Sequence, residues 1–275
     1  NELKIIGDIK MDLCKVFEDT RNKSNNELKT DTDKLINNTI VYSDRDYDEY
    51  SIIFKKNKNK TLNIEFNTND TVTEICKDKN IHIAALNFAD AATPGGSVLY
   101  GAKTQEECLC RCSNLYESII SDKCDKEFYS KNFSNYHNTR KIIYSPDCIF
   151  FLDKDYIPLE ECVKCDIITS PAPFEGCADN EYIYTKMKDI LIAASLNKVD
   201  KLILGMWGCG AFNNDLETFA YTWARVILEV KPTMNIVFAN YSKTEDRPIE
   251  FYNAFMKEMN KMKYVFIHKN ITVNF

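Results

Sequence analysis

From residue 81 onward the chain repeats one order of positions: a short apolar run, a loop, then a stretch with helical spacing. Residues 81–88 read as an apolar strand, and 104–121 as an amphipathic helix with Cys108, Cys112, Leu115, Tyr116 and Ile119 on one stripe. Residues 148–152 and 166–170 are short apolar strands, and Ile183, Met187, Ile190, Leu191 and Ala194 mark another helix. A strand at 201–204, a helix at 216–230, a strand at 235–239 and a last strand at 264–267 complete the series. Strands alternating with helices predict a layered α/β fold. Upstream, Leu3, Ile6, Met11, Cys14, Val16 and Phe17 give imperfect helical spacing within a mainly helical stretch of 38 residues. Short β-branched and aromatic runs follow at 39–42, 51–54 and 61–66. The basic run 55–60 between the last two reads as a solvated hairpin tip, because no aromatics interleave it as they do in nucleic-acid surfaces. With no internal repeat and no linker-like stretch, the expectation is one domain over 1–275, with 1–38 a helical extension packed on it.

Composition narrows the class. Over 275 residues, 44% hydrophobic and 28% charged is ordinary globular content. No stretch approaches a membrane span, and nothing at the N-terminus reads as a signal peptide, so an intracellular protein, cytoplasmic or nuclear and not secreted, is expected. A net charge of −6 argues against broad nucleic-acid binding. The 11 cysteines, an odd count, read as reduced thiols. Cys162-x-x-Cys165 and the alternate Cys108, Cys110 and Cys112 are possible metal groupings. Zinc needs a second such pair or histidines, though, and the chain has only His82, His137 and His268. No metal and no cofactor is expected.

Glycine and proline are scarce, at 8 and 7, less than half the ordinary share. Most of the glycines nevertheless fall in two strand-to-helix loops, Pro94-Gly95-Gly96-Ser97 through Gly101, and Gly205-Met206-Trp207-Gly208-Cys209-Gly210-Ala211-Phe212. Backbone without Cβ can approach a ligand closely, and the helix N-terminus that follows offers free N–H groups. In open α/β sheets ligands sit at the carboxyl ends of strands, so two such loops make a site for a diphosphate or similar anion. Neither loop has the G-x-G-x-x-G of dinucleotide oxidoreductases, a Walker A lysine, or a G-x-S-x-G elbow. Gln105-Glu106-Glu107 opens the helix after the first loop. Thr104-x-x-Glu107 has the form of a capping box, whereas a carboxylate beside a glycine loop can also reach a bound ligand. Adjacent helical residues point about 100° apart, so Glu106 and Glu107 are not the facing pair of a retaining glycosidase.

Pro94-Gly95-Gly96-Ser97, seven residues, then Gln105-Glu106-Glu107 resembles the Gly-Gly-Gly…Gln-Glu-Glu signature of poly(ADP-ribose) glycohydrolases, particularly the microbial type. Leu86-Asn87-Phe88-Ala89-Asp90 before it, Cys110 through Tyr116 after it, and Trp207-Gly208-Cys209-Gly210-Ala211-Phe212 with Asp215 fit the same family, over residues 80 to 240. The resemblance implies a three-layer α/β/α macrodomain-like fold with a mixed central sheet. It implies Glu107 as catalytic acid/base and Glu106 orienting the ribose. Asn87, Phe88, Ala89, Asp90, Gln105, Gly95, Gly96 and Ser97 on one side, and Trp207, Gly208, Cys209, Gly210 and Ala211 on the other, would bracket the ligand. Phe212 would pack on the distal ribose, and Asn240 or Tyr241 would border the adenine.

The implied activity is cleavage of ribose–ribose O-glycosidic bonds of poly(ADP-ribose), releasing ADP-ribose without a metal. The substrate would be the polymer or ADP-ribosylated protein, and the enzyme a monomer. An ADP-ribose reader of low activity, or a hydrolase acting on ADP-ribose linked to protein or nucleic-acid bases, is the alternative. Two departures bear on the choice. Ser97 replaces a third glycine, and a positive φ there would cost about 1 kcal/mol or more. Asp90 stands where the animal enzymes carry Asn, and its charge is expected to weaken ligand binding or alter substrate choice.

Overall fold

The computed structural model describes residues 11–44, 46–47, 61–132, 140–261 and 269–275. Leu3, Ile6, the predicted strands at 51–54 and 264–267, the basic run 55–60, and His137 and His268 lie outside the described residues.

The described strands form one mixed sheet. They are β1 (Ile40–Tyr42), β2 (Leu62–Asn67), β3 (Ile83–Asn87), β4 (Ile142–Leu152), β5 (Pro158–Thr169), β6 (Lys201–Leu204), β7 (Asn235–Ala239) and β8 (Lys269–Asn274), in the spatial order β1-β4-β5-β3-β6-β7-β2-β8. β1, β4 and β5 pair antiparallel, and β5 onward the pairing is parallel. The central strands β3, β6 and β7 are buried on both faces, as parallel strands are, and side-chain alternation splits the core in two. Ala84, Leu86, Leu202 and Leu204 point to one cluster; Ile83, Ala85 and Ile203 point to the other.

Helices α1 (Leu13–Asn25), α2 (Lys29–Asn38), α3 (Thr71–Lys77), α4 (Gln105–Cys112) and α5 (Leu115–Ile119) precede β4. Phe17, Leu35, Ile75, Leu109 and Leu115 of this set join the second cluster. Helices α6 (Asn180–Leu196), α7 (Leu216–Val230) and α8 (Asp246–Lys261) cover the opposite face through Met187, Ile190, Trp223, Ala224, Phe251 and Phe255. The result is the three-layer α/β/α arrangement expected.

Three local expectations need correction. The stretch 104–121 is two helices, because Ser113 is extended (φ −147°) and bridges to Phe150. The break is held by side-chain bonds, one local and one across the fold: Ser113 Oγ donates to the Leu109 carbonyl, and Asn114 Oδ1 accepts from the Ile149 N–H. Ser and Asn compete with the helix backbone in this way. Second, the short strands at 148–152 and 166–170 are the ends of a long β4–β5 hairpin. Its register shifts between Ser145 and Cys148, where Asp147 has φ +55°. Third, α1 buries Leu13, Phe17, Thr20 and Ser24, while Met11 and Cys14 face solvent. Helix α8 was not anticipated, although Phe251, Ala254, Phe255 and Met259 carry its helical spacing.

Candidate active site

β3 and β6 are parallel neighbours, so the loops that leave their carboxyl ends lie side by side. In the first loop Gly95 and Gly96 have φ +73° and +57°, and each is fixed by what lies against it. A Cβ on Gly95 would sit 2.8 Å from the Tyr116 ring. A Cβ on Gly96 would sit 2.6 Å from Glu107 Oε1 and 3.2 Å from Glu106 Oε2. The double glycine therefore lets the loop lie directly on two carboxylates from the first turn of α4.

Those carboxylates are held by donors from the loop. Glu106 accepts from the Asp90 N–H at 2.8 Å, the Gly95 N–H at 3.2 Å and the Asn87 amide at 3.2 Å. Glu107 Oε1 accepts from the Ser97 N–H at 3.0 Å, and its Oε2 accepts from the Thr104 hydroxyl. Gln105 spans the base of the loop: its Oε1 accepts from the Phe88 N–H at 2.9 Å and its amide donates to the Leu86 carbonyl at 2.7 Å. The capping box is not formed, since Thr104 makes no side-chain cap bond to the helix backbone. Glu107 is spent on the loop and on Thr104 instead.

The two departures take on a different meaning. Ser97 has φ −101°, so the strain anticipated for a serine at this position is absent. Asp90 Oδ1 accepts from the N–H groups of Ala92 and Thr93, both at 2.8 Å, which gives this carboxylate a turn-holding function that an Asn oxygen would share.

The second loop is tightly built. Gly205 has no room for a side chain, with the Ala239 carbonyl 2.8 Å and Phe88 3.0 Å from its would-be Cβ, so the two loops touch here. Gly208 (φ +77°) is packed by Phe219, Ala172 and Asn214. Trp207 is fully buried, with its indole N–H donating to the Ser170 carbonyl at 2.9 Å, so its side chain belongs to the core. Cys209 is buried and its carbonyl accepts from Arg247 at the start of α8. Gly210 and Ala211 are exposed. Phe212 is half-buried on Phe174, ring centroids 4.2 Å apart.

At the neighbouring strand ends several buried polar atoms have no hydrogen-bond partner among the described residues: Asn87 Oδ1, Ser170 Oγ, and both amide atoms of Asn240. Asn240 is 0% exposed and tied to β2 only through its backbone, whereas Tyr241 beside it is 62% exposed. Buried polar groups are normally satisfied, so these strand ends are suited to meeting a polar ligand or water.

Burial pushes the Glu106 carboxyl up to about 8, aided by the charges of Glu107 and Asp90 and opposed by the Asp90 N–H and the Asn87 amide. The donors favour the carboxylate and burial favours the acid; burial is the larger effect. Tyr129, whose buried hydroxyl is unpartnered among the described residues, also lies within the field of Glu106.

The structure thus gathers Asn87, Phe88, Ala89, Asp90, Gly95, Gly96, Ser97, Gln105, Glu106 and Glu107 into one unit, with the second loop against it. Sequence reasoning missed Thr104 as the partner of Glu107, Tyr116 beneath Gly95, and the Ser170–Phe174 segment that braces the second loop. Thr104 carries a readable signal in the sequence, but as a cap, and Tyr116 carries one only as a member of the helix stripe and of the family stretch. The predicted cysteine pair divides: Cys162 is exposed and Cys165 buried, as positions three apart on a strand point to opposite faces.

Residues 10–153 match the family model described as microbial-type PARG (poly(ADP-ribose) glycohydrolase), catalytic domain. The match includes α1 and α2 and ends before the second loop, unlike the span of 80 to 240 expected. Among solved structures, poly(ADP-ribose) glycohydrolase from Deinococcus radiodurans in complex with ADP-ribose superposes with a TM-score of 0.74 at 26% identity, over 84% of this chain and 97% of that one. The enzyme from Thermomonospora curvata gives 0.75 at 23% identity, over 90% and 98%, which speaks to fold alone. No curated protein matches the chain. Among the described residues no helix is long and apolar enough to cross a membrane.

Proposed function

The chain belongs to the microbial-type poly(ADP-ribose) glycohydrolase catalytic-domain family, and from that premise we propose how its own residues carry out the hydrolysis. In this reading Glu107 is the acid/base. ADP-ribose lies across the carboxyl ends of β3 and β6, its diphosphate between the Gly95–Ser97 and Gly208–Gly210 backbones. Glu107 protonates the departing ribose hydroxyl oxygen as the glycosidic C–O bond breaks. The same carboxylate then takes a proton from the water that attacks the oxocarbenium-like centre, which restores its starting state. Every step uses carboxylates and backbone donors, so no metal is required.

The observation that carries this reading is the contact between Gly96 and the two glutamates, with Glu107 held by Ser97 N–H and Thr104. Such clamping fixes one rotamer against the loop where the diphosphate would sit. Glu106 holds Asp90, Gly95 and Asn87 in place, and in its protonated form it adds no negative charge beside the diphosphate. Phe212 would pack on the distal ribose. Asn240, with an unsatisfied amide, is the better candidate for a polar contact to the ligand, and the exposed Tyr241 would form its rim.

Labelled poly(ADP-ribose) incubated with the wild-type chain should release ADP-ribose, and Glu107→Gln should not. ADP-ribose should bind one site per chain in metal-free buffer, with AMP far weaker for lack of the second phosphate and distal ribose. Calorimetry giving equal affinities, or release by the Glu107→Gln chain, counts against the reading.

A further inference from the structure

Between the first glycine loop and α4 the chain makes a single 3₁₀ turn, Val98–Tyr100, that presents an aromatic ring to solvent. Tyr100 is 85% exposed, and among the described residues its side chain makes no hydrogen bond and no ring contact. The turn beneath it is held from several sides. Val98 is buried, the Tyr100 N–H donates to the Ser97 carbonyl at 3.0 Å, and the Gly101 and Ala102 N–H groups donate to the Val98 and Ser97 carbonyls at 3.2 and 3.3 Å. Gly101, at φ +73°, closes the turn. From α1 the Cys14 thiol donates to the Leu99 carbonyl at 3.4 Å, and from α4 the buried Arg111 donates to the Ala102 carbonyl. The ring is thus displayed on fixed backbone, and a partner that meets it there costs little ordering entropy.

Two hydrogen bonds in series tie this turn to the reacting group. The Ser97 N–H donates to Glu107 Oε1 at 3.0 Å, and the Ser97 carbonyl accepts from the Tyr100 N–H. At a rise of about 2 Å per residue, Tyr100 stands about 6 Å along the turn from the residue that grips Glu107. Lys103, three residues further on, is exposed and has no ion pair among the described residues. On a chain of net charge −6, an unpaired cation here gives a polyanion local attraction where the rest of the surface gives little.

We propose that Tyr100 and Lys103 form a subsite for the unit that departs: the ring stacks on the adenine of the adjoining ADP-ribose, and the ammonium meets its diphosphate. This rests on the functional reading above and adds to it the leaving side of the bond. In a chain of ADP-ribose units the departing hydroxyl belongs to an adenosine ribose, and the ring carbon next to it carries the adenine. The base on the leaving side is therefore held within a few bonds of the oxygen that Glu107 protonates, the same neighbourhood in which the turn displays Tyr100. A ring with a cation beside it is how single-stranded nucleic acids are gripped through base and phosphate without readout of sequence, and the polymer repeats those two groups. ADP-ribose joined to a protein side chain brings no base to this position, so the subsite favours the polymer over the protein-linked unit.

The test measures, by calorimetry on the full chain carrying Glu107→Gln, the binding of ADP-ribose and of the ADP-ribose dimer, the shortest chain with a scissile ribose–ribose bond. Adding Tyr100→Ala should weaken the dimer roughly 5- to 100-fold and leave ADP-ribose affinity unchanged. Tyr100→Trp should keep the dimer affinity and Tyr100→Leu should lose it, which separates stacking from plain apolar contact. Lys103→Gln should weaken the dimer and make its affinity fall less steeply with salt. With Glu107 in place, Tyr100→Ala should raise KM for the polymer by a similar factor and spare kcat, because the ring holds the leaving unit before and during the reaction alike. Equal loss for both ligands, or loss for neither, overturns the subsite and leaves the functional reading standing. A chain that binds no ADP-ribose overturns that reading and this proposal with it. If the Glu107→Gln chain cleaves the dimer, the catalytic assignment fails and the KM shift decides the subsite.

Discussion

At the level of single residues, the site turns on how closely backbone and carboxylate approach. Gly96 has positive φ and a would-be Cβ 2.6 Å from Glu107 Oε1. Gly96→Ala should therefore act through Glu107: rate should fall on the order of 100-fold, from a displaced acid, against a stability loss of only about 1 kcal/mol from the strained φ. Kinetics on the folded variant beside a urea titration separates the two, and unchanged turnover would remove Gly96 from the site. Ser97 should respond differently. At φ −101° a glycine relieves nothing there, so Ser97→Gly should lower stability by up to about 1 kcal/mol through unfolded-chain entropy and leave turnover unaltered. Glu107→Gln should reduce the rate roughly 10²–10⁴-fold with ADP-ribose affinity kept, the range expected for loss of a general acid. The helix cap predicted from Thr104-x-x-Glu107 would give only modest destabilisation. Residue type alone does not separate these outcomes, because the cap and the proposed acid share one spacing; the Glu107 oxygens facing Ser97 and Thr104 remove the capping box, and the kinetics of Glu107→Gln test the acid.

At the level of elements, the sequence was most legible where one apolar run makes one strand. β3, β6, β7, α6 and α7 follow from periodicity, and both glycine loops fall at the predicted strand ends. The stretch 104–121 reads as one helix because its apolar stripe resumes in phase at Leu115 beyond Ser113 and Asn114. Ser113 bonds back to the Leu109 carbonyl inside the helix, while Asn114 reaches Ile149 and Thr32, contacts that no local pattern shows. The bracing of the second loop was hidden for the same reason, since Ser170, Ala172 and Pro173 meet it only once the sheet has formed. N-terminal helices that looked like an extension belong to the matched family region, with Phe17 edge-on to Tyr116 at 4.8 Å and Tyr116 in turn beneath Gly95. This places α1 behind the first glycine loop. Gly208→Ala probes the second loop as an element: a Cβ 2.8 Å from Phe219 and 2.9 Å from Ala172 should cost about 1–3 kcal/mol by overpacking, with a lower melting temperature. An unchanged melting temperature would mean that the loop shifts freely, and that its glycine is there for the ligand alone.

At the level of the whole molecule, two buried groups of opposite sign give the stability a predictable dependence on pH. Burial pushes Glu106 up to about 8 from an ordinary 4.5, so between those values the folded chain holds a proton that the unfolded chain has released. Stability must fall as pH rises through that window, by at most about 1.4 kcal/mol per unit. Lys186 behaves in the reverse sense. It is fully buried on α6, donating to the Lys141 carbonyl at 2.9 Å, and burial lowers it to about 7 from 10.5, with Asp189 opposing and Arg140 reinforcing. From 7 upward the unfolded chain holds the extra proton, so this group makes stability rise with pH and offsets the fall due to Glu106. Near the ordinary thiol range, 9.0, the buried thiols of Cys110, Cys148 and Cys165, which burial pushes up, turn the slope downward again. Urea unfolding from pH 5 up to that range should show a falling limb that levels off at about pH 7 to 8 and then a short rising limb. Glu106→Gln should flatten the falling limb, although a Gln amide facing the Asp90 N–H lowers stability at every pH. Lys186→Met should flatten the rising limb and keep the falling one, since it lies on the opposite face of the sheet from α4. Parallel profiles for wild type and Glu106→Gln would mean that Glu106 is ionised in the folded protein, and that the proton it is proposed to hold beside the diphosphate is not there.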